Sequence, residues 1–298
     1  MSKILKSQLA NSVQIKSILN KVDVVFTLKC GTRVEVLLIY LPCKSGECDL
    51  SSLYQLIKDC IITDFALSYS EIRKKLRRNP ADAPQELLEK AVRRLSQHTA
   101  QGELGELLLF TILDVYFNAP KIVSKISQKQ ARRMPAFGAD AIHAQYMNNN
   151  LVLYLGESKL HKSYSDAKRE AITSITTSLN SYKEQFDYID SNISFPEMTE
   201  EAEEEMLDLL HPFKNKEHIG EILHTPCFIG FEHPEVFDED QDRYTTNYIE
   251  LAKKHVGDFY SRLELKGLEA EKTALLLLPF TSIDQLVFGF IDYLGIEL

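Results

Sequence analysis

Residues 138–159 read GADAIHAQYMNNNLVLYLGESK, and the fold turns on this stretch. Gly138–Tyr146 and Leu151–Glu157 are apolar and rich in strand-forming residues, and Met147–Asn150 between them is a good turn sequence. The expectation is an antiparallel hairpin. Side chains alternate along a strand, so Glu157 and Lys159 share one face while Ser158 points to the other. The turn lies midway between Asp140 and Glu157, which brings the two carboxylates opposite each other across the pair. Two carboxylates and a lysine at one sheet edge suit phosphate chemistry. The carboxylates are hard oxygen ligands for Mg²⁺, with Mn²⁺ the other candidate. A bound metal acidifies water and polarises a phosphate. Lys159 can then orient that water, stabilise developing charge, or act as a base, and the sequence leaves these roles open.

Upstream, Gln101–Tyr116 reads as an apolar helix interrupted by Glu103 and Glu106. These lie three apart, roughly on one helical face. A carboxylate entering an apolar helix is costly unless paired or metal-bound, so one of them is a candidate third metal ligand, Glu106 before Glu103. The bland alternative is ordinary first-turn electrostatics.

These features together resemble the PD-(D/E)XK nuclease superfamily: Gly102-x-x-x-Glu106 on the helix, Gly138-Ala-Asp140 and Gly156-Glu-Ser-Lys159. Ala139 stands where the superfamily's name has Pro. More narrowly, the whole chain resembles the HamA nuclease subunits of the Hachiman anti-phage system, with the identifiable motifs inside residues 101–162. The resemblance implies a restriction-endonuclease-like α/β core, Mg-dependent cleavage of DNA, and control by a partner, a superfamily 2-type helicase like HamB. Asp140, Glu157 and Glu106 become the implied metal ligands, with Lys159 beside them.

Working outward, the elements alternate as a mixed sheet flanked by helices. Val22–Leu28 and Arg33–Leu41 read as a hairpin turning at Cys30-Gly31, followed by helices from Asp49 or Ser51 to about Leu67, over Ser70–Arg78 and over Pro84–His98. After the central motif come helices at Ser163–Ile189 and Thr199–Leu210, a strand at Pro226–Glu232, a helix at Tyr244–Leu268, a buried strand at Ala274–Pro279 and a helix at Ser282–Leu294. The expected division is an N-terminal α/β region, 1–98, packed on a nuclease core, 99–298.

The formal net charge is −9, awkward for an enzyme of nucleic acid, but the distribution is uneven. Residues 121–170 hold nine Lys/Arg against four Asp/Glu, and residues 191–245 hold three against fifteen. Lys121, Lys125, Lys129, Arg132 and Arg133 before the motif, with His161 and Lys162 after it, are candidates to follow a DNA backbone; a solvated face is the alternative. His143 is more simply a supporting residue than a ligand. The five scattered cysteines do not form a disulfide framework. Neither Cys43 with Cys48 nor the group His218, His224, Cys227 and His233 is better read as zinc than as ordinary side chains. With no signal peptide, no apolar run long enough for a membrane span and no phosphate-binding loop for ATP, the expectation is a soluble cytoplasmic protein whose ATP-driven steps come from elsewhere. A non-catalytic module retaining the nuclease fold is the competing class, disfavoured by the intact Asp140, Glu157 and Lys159. A stand-alone restriction-type enzyme is disfavoured by the negative charge and by the lack of a reading motif.

Overall fold

The computed structural model describes residues 5–44, 46–123, 126, 140–148, 150–182, 200–211 and 220–297. The sequence-based expectations for Lys125, Lys129, Arg132, Arg133 and His218 fall outside them. In chain order the strands are β1 (Asn20–Val22), β2 (Phe26–Thr27), β3 (Arg33–Val34), β4 (Val36–Tyr40), β5 (Cys43–Lys44), β6 (Glu47–Cys48), β7 (Lys121–Val123), β8 (Ala141–Met147), β9 (Asn150–His161), β10 (Leu223–His224), β11 (Cys227–Glu232) and β12 (Leu275–Phe280). The α-helices are α1 (Ser12–Ile18), α2 (Leu50–Leu56), α3 (Ile62–Ala66), α4 (Tyr69–Arg78), α5 (Ala83–Val92), α6 (Ala100–Tyr116), α7 (Tyr164–Asn180), α8 (Glu200–Leu210), α9 (Gln241–Glu264) and α10 (Ile283–Leu294).

The main sheet is mixed, as the alternation of elements predicts. Its order is β1-β4-β12-β11-β9-β8-β7, with β10 also beside β9. The strands β4, β12, β11 and β9 are parallel; β1 is antiparallel to β4, β8 is antiparallel to β9, and β7 is antiparallel to β8. β11 and β12 are covered on both faces, so they read as continuous apolar runs, CFIGF and LLLL, rather than as alternation. Pro279 is tolerated in an interior strand because β4 pairs only with Leu275–Leu277, leaving the position beyond that ladder.

The predicted N-terminal hairpin exists only at its tip. Phe26–Thr27 pairs with Arg33–Val34 around Gly31, whose φ of +89° suits glycine. Val36–Tyr40 then leaves the hairpin and runs between β1 and β12. A boundary near residue 98 therefore does not separate two sheets: β1 and β4 belong to the same sheet as β8, β9, β11 and β12.

Two apolar layers cover the sheet. On one face, leucines of α6 and side chains of α2 and α10 pack with Leu160, Phe228, Leu276, Leu278 and Phe280. On the other, α7 and α9 pack with Leu38, Cys227, Ile229, Leu275 and Leu277. The alternation of β9 is what splits its side chains between these layers.

Lys121 corrects the sequence reading. It is buried, and its ammonium donates to the carbonyls of Asp64, Phe65 and Leu67, at the C-terminal end of α3. Those carbonyls have no partner within a helix that stops, and a cation there also suits the helix dipole. Burial brings the Lys121 ammonium down to about 8, against the pull of Asp64 and Asp114. Lys121 is a buried structural cap rather than an exposed cation.

A second cation–carboxylate contact has a pH consequence. Glu71 closes a capping box with Ser68 at the start of α4 and receives Lys90 and Arg94 from the α5 region, each at 2.7 Å. Burial alone would raise its carboxyl, but hydrogen bonds from Arg94, Lys90 and the Ser68 N–H outweigh this and bring it down to about 2. A carboxyl depressed in the folded state stabilises the fold above its unfolded pKa, near 4.3, and loses that contribution as pH falls towards the folded value. We expect Glu71→Gln to cost about 2 kcal/mol at pH 7, after allowance for solvent screening, and to flatten the stability profile between about pH 4.5 and 2. Urea unfolding at several pH values reads both; parallel profiles for the two proteins would contradict the assignment.

Candidate active site

The β8–β9 hairpin forms in the predicted register. Ala141 pairs with Gly156 and Met147 with Asn150, around an Asn148 held at φ +50°. One step beyond the ladder, Asp140 stands opposite Glu157, its N–H donating to the Gly156 carbonyl at 3.1 Å. On the other edge of β9, β11 runs parallel, placing Cys227 beside Glu157 and Ile229 beside Lys159. Glu157 is thus on an interior strand with neighbours on both sides, under α7.

Glu157 and Lys159 do share a face. The Lys159 ammonium lies 2.6 Å from Glu157 Oε1. Glu157 is 5% exposed, whereas Lys159 keeps access to solvent. Burial and the neighbouring Asp140 push the Glu157 carboxyl up to about 7, against Lys159 and the Ser174 hydroxyl of α7. Burial would lower the Lys159 ammonium, but Glu157 and then Asp140 raise it, so it is held protonated.

Sequence reasoning set Ser158 aside as pointing away, and on the sheet it does. Its N–H and hydroxyl nevertheless both donate to Asp140 Oδ2, at 3.0 and 2.9 Å. The signal was present: Asp140 ends the β8 ladder, so the next N–H of β9 has no strand partner there, and a carboxylate is placed to accept it. Ser174 was also missed, because only the fold brings α7 over β9.

The helix α6 lies on the face opposite Glu157 and Lys159. Gly105 rests on Ser158: a Cβ there would sit 3.3 Å from the Ser158 hydroxyl and 3.6 Å from Leu160 Cβ. The absence of a side chain lets the helix approach the strand that holds Asp140. The two glutamates of this helix separate. Glu103 is buried, accepting from the Ser96 N–H at 3.0 Å and the Thr99 hydroxyl at 2.6 Å, which makes it a structural acceptor before the helix start. Glu106, next to Gly105, is half-buried. Among the described residues no group of three or more His, Cys, Asp or Glu is arranged to hold one metal, so Glu106 does not join Asp140 and Glu157 in such a set. The same holds for His224, Cys227 and His233.

The remaining candidates take ordinary roles. His143 is buried on the α6 face, its Nδ1 2.6 Å from the Ala119 carbonyl, and burial brings it down to about 3. It is neutral and away from Glu157. His161 follows Lys159 on the same face of β9, and its Nδ1 accepts from the Ser163 N–H at 3.0 Å. Lys162 is exposed and pairs with Asp284 at 2.6 Å, an ion pair a phosphate can displace.

Comparison with protein-family profiles matches the HamA family over residues 15–294, nearly the whole chain. The chain belongs to the HamA family. Membership supports a role in Hachiman anti-phage defence. No curated protein matches the chain. The matched span begins within α1 and ends with α10, so the N-terminal strands of the sheet are part of what defines the family. Among the described residues no helix is long and apolar enough to cross a membrane.

Proposed function

We propose that this HamA-family chain is a metal-dependent DNA nuclease of the PD-(D/E)XK type, the effector subunit of a defence complex whose partner helicase controls it. The observation carrying this reading is the convergence of Asp140, Glu157 and Lys159 at one hairpin end, with Glu157 pushed up to about 7 by burial and by Asp140. Two carboxylates that repel each other in a poorly solvated place fit a hard divalent cation such as Mg²⁺ or Mn²⁺, which relieves both charges. Asp140 and Glu157 would hold the metal, which when bound supplies acidified water and polarisation of the scissile phosphate. The chain's own groups do the rest. The N–H and hydroxyl of Ser158 fix the Asp140 carboxylate. Lys159, held protonated, offers its ammonium to negative charge developing on the phosphate. The buried wall of Cys227, Ile229 and α7 keeps bulk water from one side.

The direct test incubates supercoiled DNA with the protein, with and without the helicase encoded beside it, in Mg²⁺ or EDTA. Nicking or linearisation in Mg²⁺ and none in EDTA is expected, with the partner setting the rate. No cleavage under any of these conditions sinks the reading.

The candidacy of Glu106 rests on the sequence pattern alone, since the described residues do not gather it with Asp140 and Glu157; if it serves as a third carboxylate once metal and DNA are bound, a comparison within α6 reveals it. The two glutamates of α6 then give opposite results. Glu103→Gln should lower stability by about 1–3 kcal/mol, through loss of a charge-assisted acceptor for a buried N–H, with little change in the turnover of folded protein. Glu106→Gln should leave the melting temperature near that of the wild type and reduce cleavage at least tenfold. Wild-type cleavage by Glu106→Gln removes it from the site.

A further inference from the structure

The cations of α4 are not absorbed by the site just described. Residues 69–94, from α4 to just past α5, carry eight Lys/Arg and four Asp/Glu. Two of these acids are paired with a subset of the bases, and the other two accept from amides, Asp82 from Asn79 and Glu89 from Gln85. Glu71 takes Lys90 and Arg94, and Glu86 takes Lys75. Left over are Arg73, Lys74, Arg77 and Arg78, all exposed, and none of the four forms an ion pair among the described residues. On a helix, 73 with 77 and 74 with 78 are neighbours one turn apart, so the four make two adjacent rows of like charge. Each row spaces its charges by about 6 Å along the axis, a separation a polyanionic backbone can match. Like charges at this spacing destabilise an isolated helix, and α4 has no buried residue to offset that cost. Beside them lies an open cleft of about 400 Å³, where Lys74, Lys75 and Arg78 face Lys90 and Arg93 of the α5 region, with Glu71, Glu86 and Glu89 also in its wall so that bases outnumber acids five to three.

We propose that α4, with the adjoining end of α5, is a DNA-backbone contact surface separate from the elements that position Asp140, Glu157 and Lys159. It takes phosphates by charge and reads no sequence. A protein partner is the weaker fit: the centres of protein–protein interfaces are depleted in charge, and the one large apolar side chain exposed on α4 is Leu76. Surfaces rich in free Lys and Arg are the mark of nucleic-acid interfaces. In a chain of net charge −9, a local surface of this kind is what overcomes long-range repulsion at the first encounter. The inference rests on the reading above that DNA is the substrate polymer, but not on cleavage.

The test uses the full chain in EDTA and a fluorescein-labelled duplex DNA of about 30 bp, with anisotropy measured from about 50 to 200 mM NaCl. The variants are Arg73→Gln, Lys74→Gln, Arg77→Gln and Arg78→Gln combined; a charge-keeping set, Arg73→Lys, Arg77→Lys and Arg78→Lys; and Lys253→Gln with Lys254→Gln on α9 as an unrelated exposed pair. The four-glutamine variant should lose at least tenfold in affinity near 100 mM salt, and its salt slope should flatten by up to about 3–4. The lysine set and the α9 pair should bind as the wild type does. Circular dichroism and a melting temperature no lower than that of the wild type establish that the four-glutamine variant is folded; if it is not, the single variants Arg77→Gln and Lys74→Gln carry the test, each lowering the slope by about one. Equal affinity and slope for the wild type and the four-glutamine variant overturn the inference. So does a loss confined to duplex RNA of equal length, or a loss confined to the partner helicase, which makes α4 a protein contact. The two readings separate cleanly. If the wild type cleaves nothing but the four-glutamine variant still binds less DNA, the nuclease proposal fails and this surface stands. If cleavage is metal-dependent and the variant binds normally, the reverse holds.

Discussion

Glu157→Gln is expected to lower DNA cleavage by about a thousandfold or more while leaving the protein folded. The substitution keeps the volume under α7 and removes a hard anionic ligand. Because burial and Asp140 already push this carboxyl up to about 7, the fold gains little from its charge. The melting temperature of Glu157→Gln should therefore equal or exceed that of the wild type, as happens where stability is given up for function. Lys159→Ala should be equally inactive for a different reason: it removes the ammonium offered to charge developing on the phosphate, the same cation that lies 2.6 Å from Glu157. Paired measurements of cleavage rate and thermal unfolding decide the matter. A folded Glu157→Gln protein that cuts DNA at the wild-type rate would end the proposal, whatever the behaviour of Lys159→Ala.

The largest effect on stability is expected at Lys121. Lys121→Met keeps the apolar stem but strips the donor from the carbonyls of Asp64, Phe65 and Leu67. Orphaned buried acceptors at a helix end cost roughly 1–3 kcal/mol apiece before relaxation, so a total loss of about 3 kcal/mol or more is expected. The loss should appear in chemical unfolding, with the affinity of the still-folded protein for DNA unchanged. A variant as stable as the wild type, or one that binds DNA less tightly without unfolding, would put Lys121 back on the surface where its charge alone suggested it belonged.

Lys121 also shows where sequence reasoning stops. A lysine near a basic run looks solvated, because charge type says nothing about what the fold places around it. Only the return of α3 beside β7 supplies three carbonyls to one ammonium. The β8–β9 hairpin was legible for the opposite reason. Its register follows from a local turn and from alternation over a few residues, so the opposition of Asp140 and Glu157 needed no long-range information. The place of β4 was not legible. Val36–Tyr40 pairs with Asn20–Val22 and with Leu275–Leu277, the latter about 240 residues away, and no local pattern encodes that partner. The division of Glu103 from Glu106 was half legible: their spacing placed them on one helix, but the Ser96 N–H and Thr99 hydroxyl that hold Glu103 come from the turn before it.

The position of β12 has a consequence for how such a protein is made. Its residues, 275–280, are inserted between β4, near residue 38, and β11, near residue 229. Emerging from the ribosome, β4 has only the short β1 to pair with until β12 has been synthesised, and the two layers of helices cannot close over a continuous sheet before then. Strand pairing over such separations is slow to form and comes late in assembly. A nascent chain therefore carries Asp140, Glu157 and Lys159 while about 115 further residues are added, with the sheet around their hairpin still incomplete. If the chain is the DNA nuclease proposed above, this ordering delays its competence until β12 has emerged.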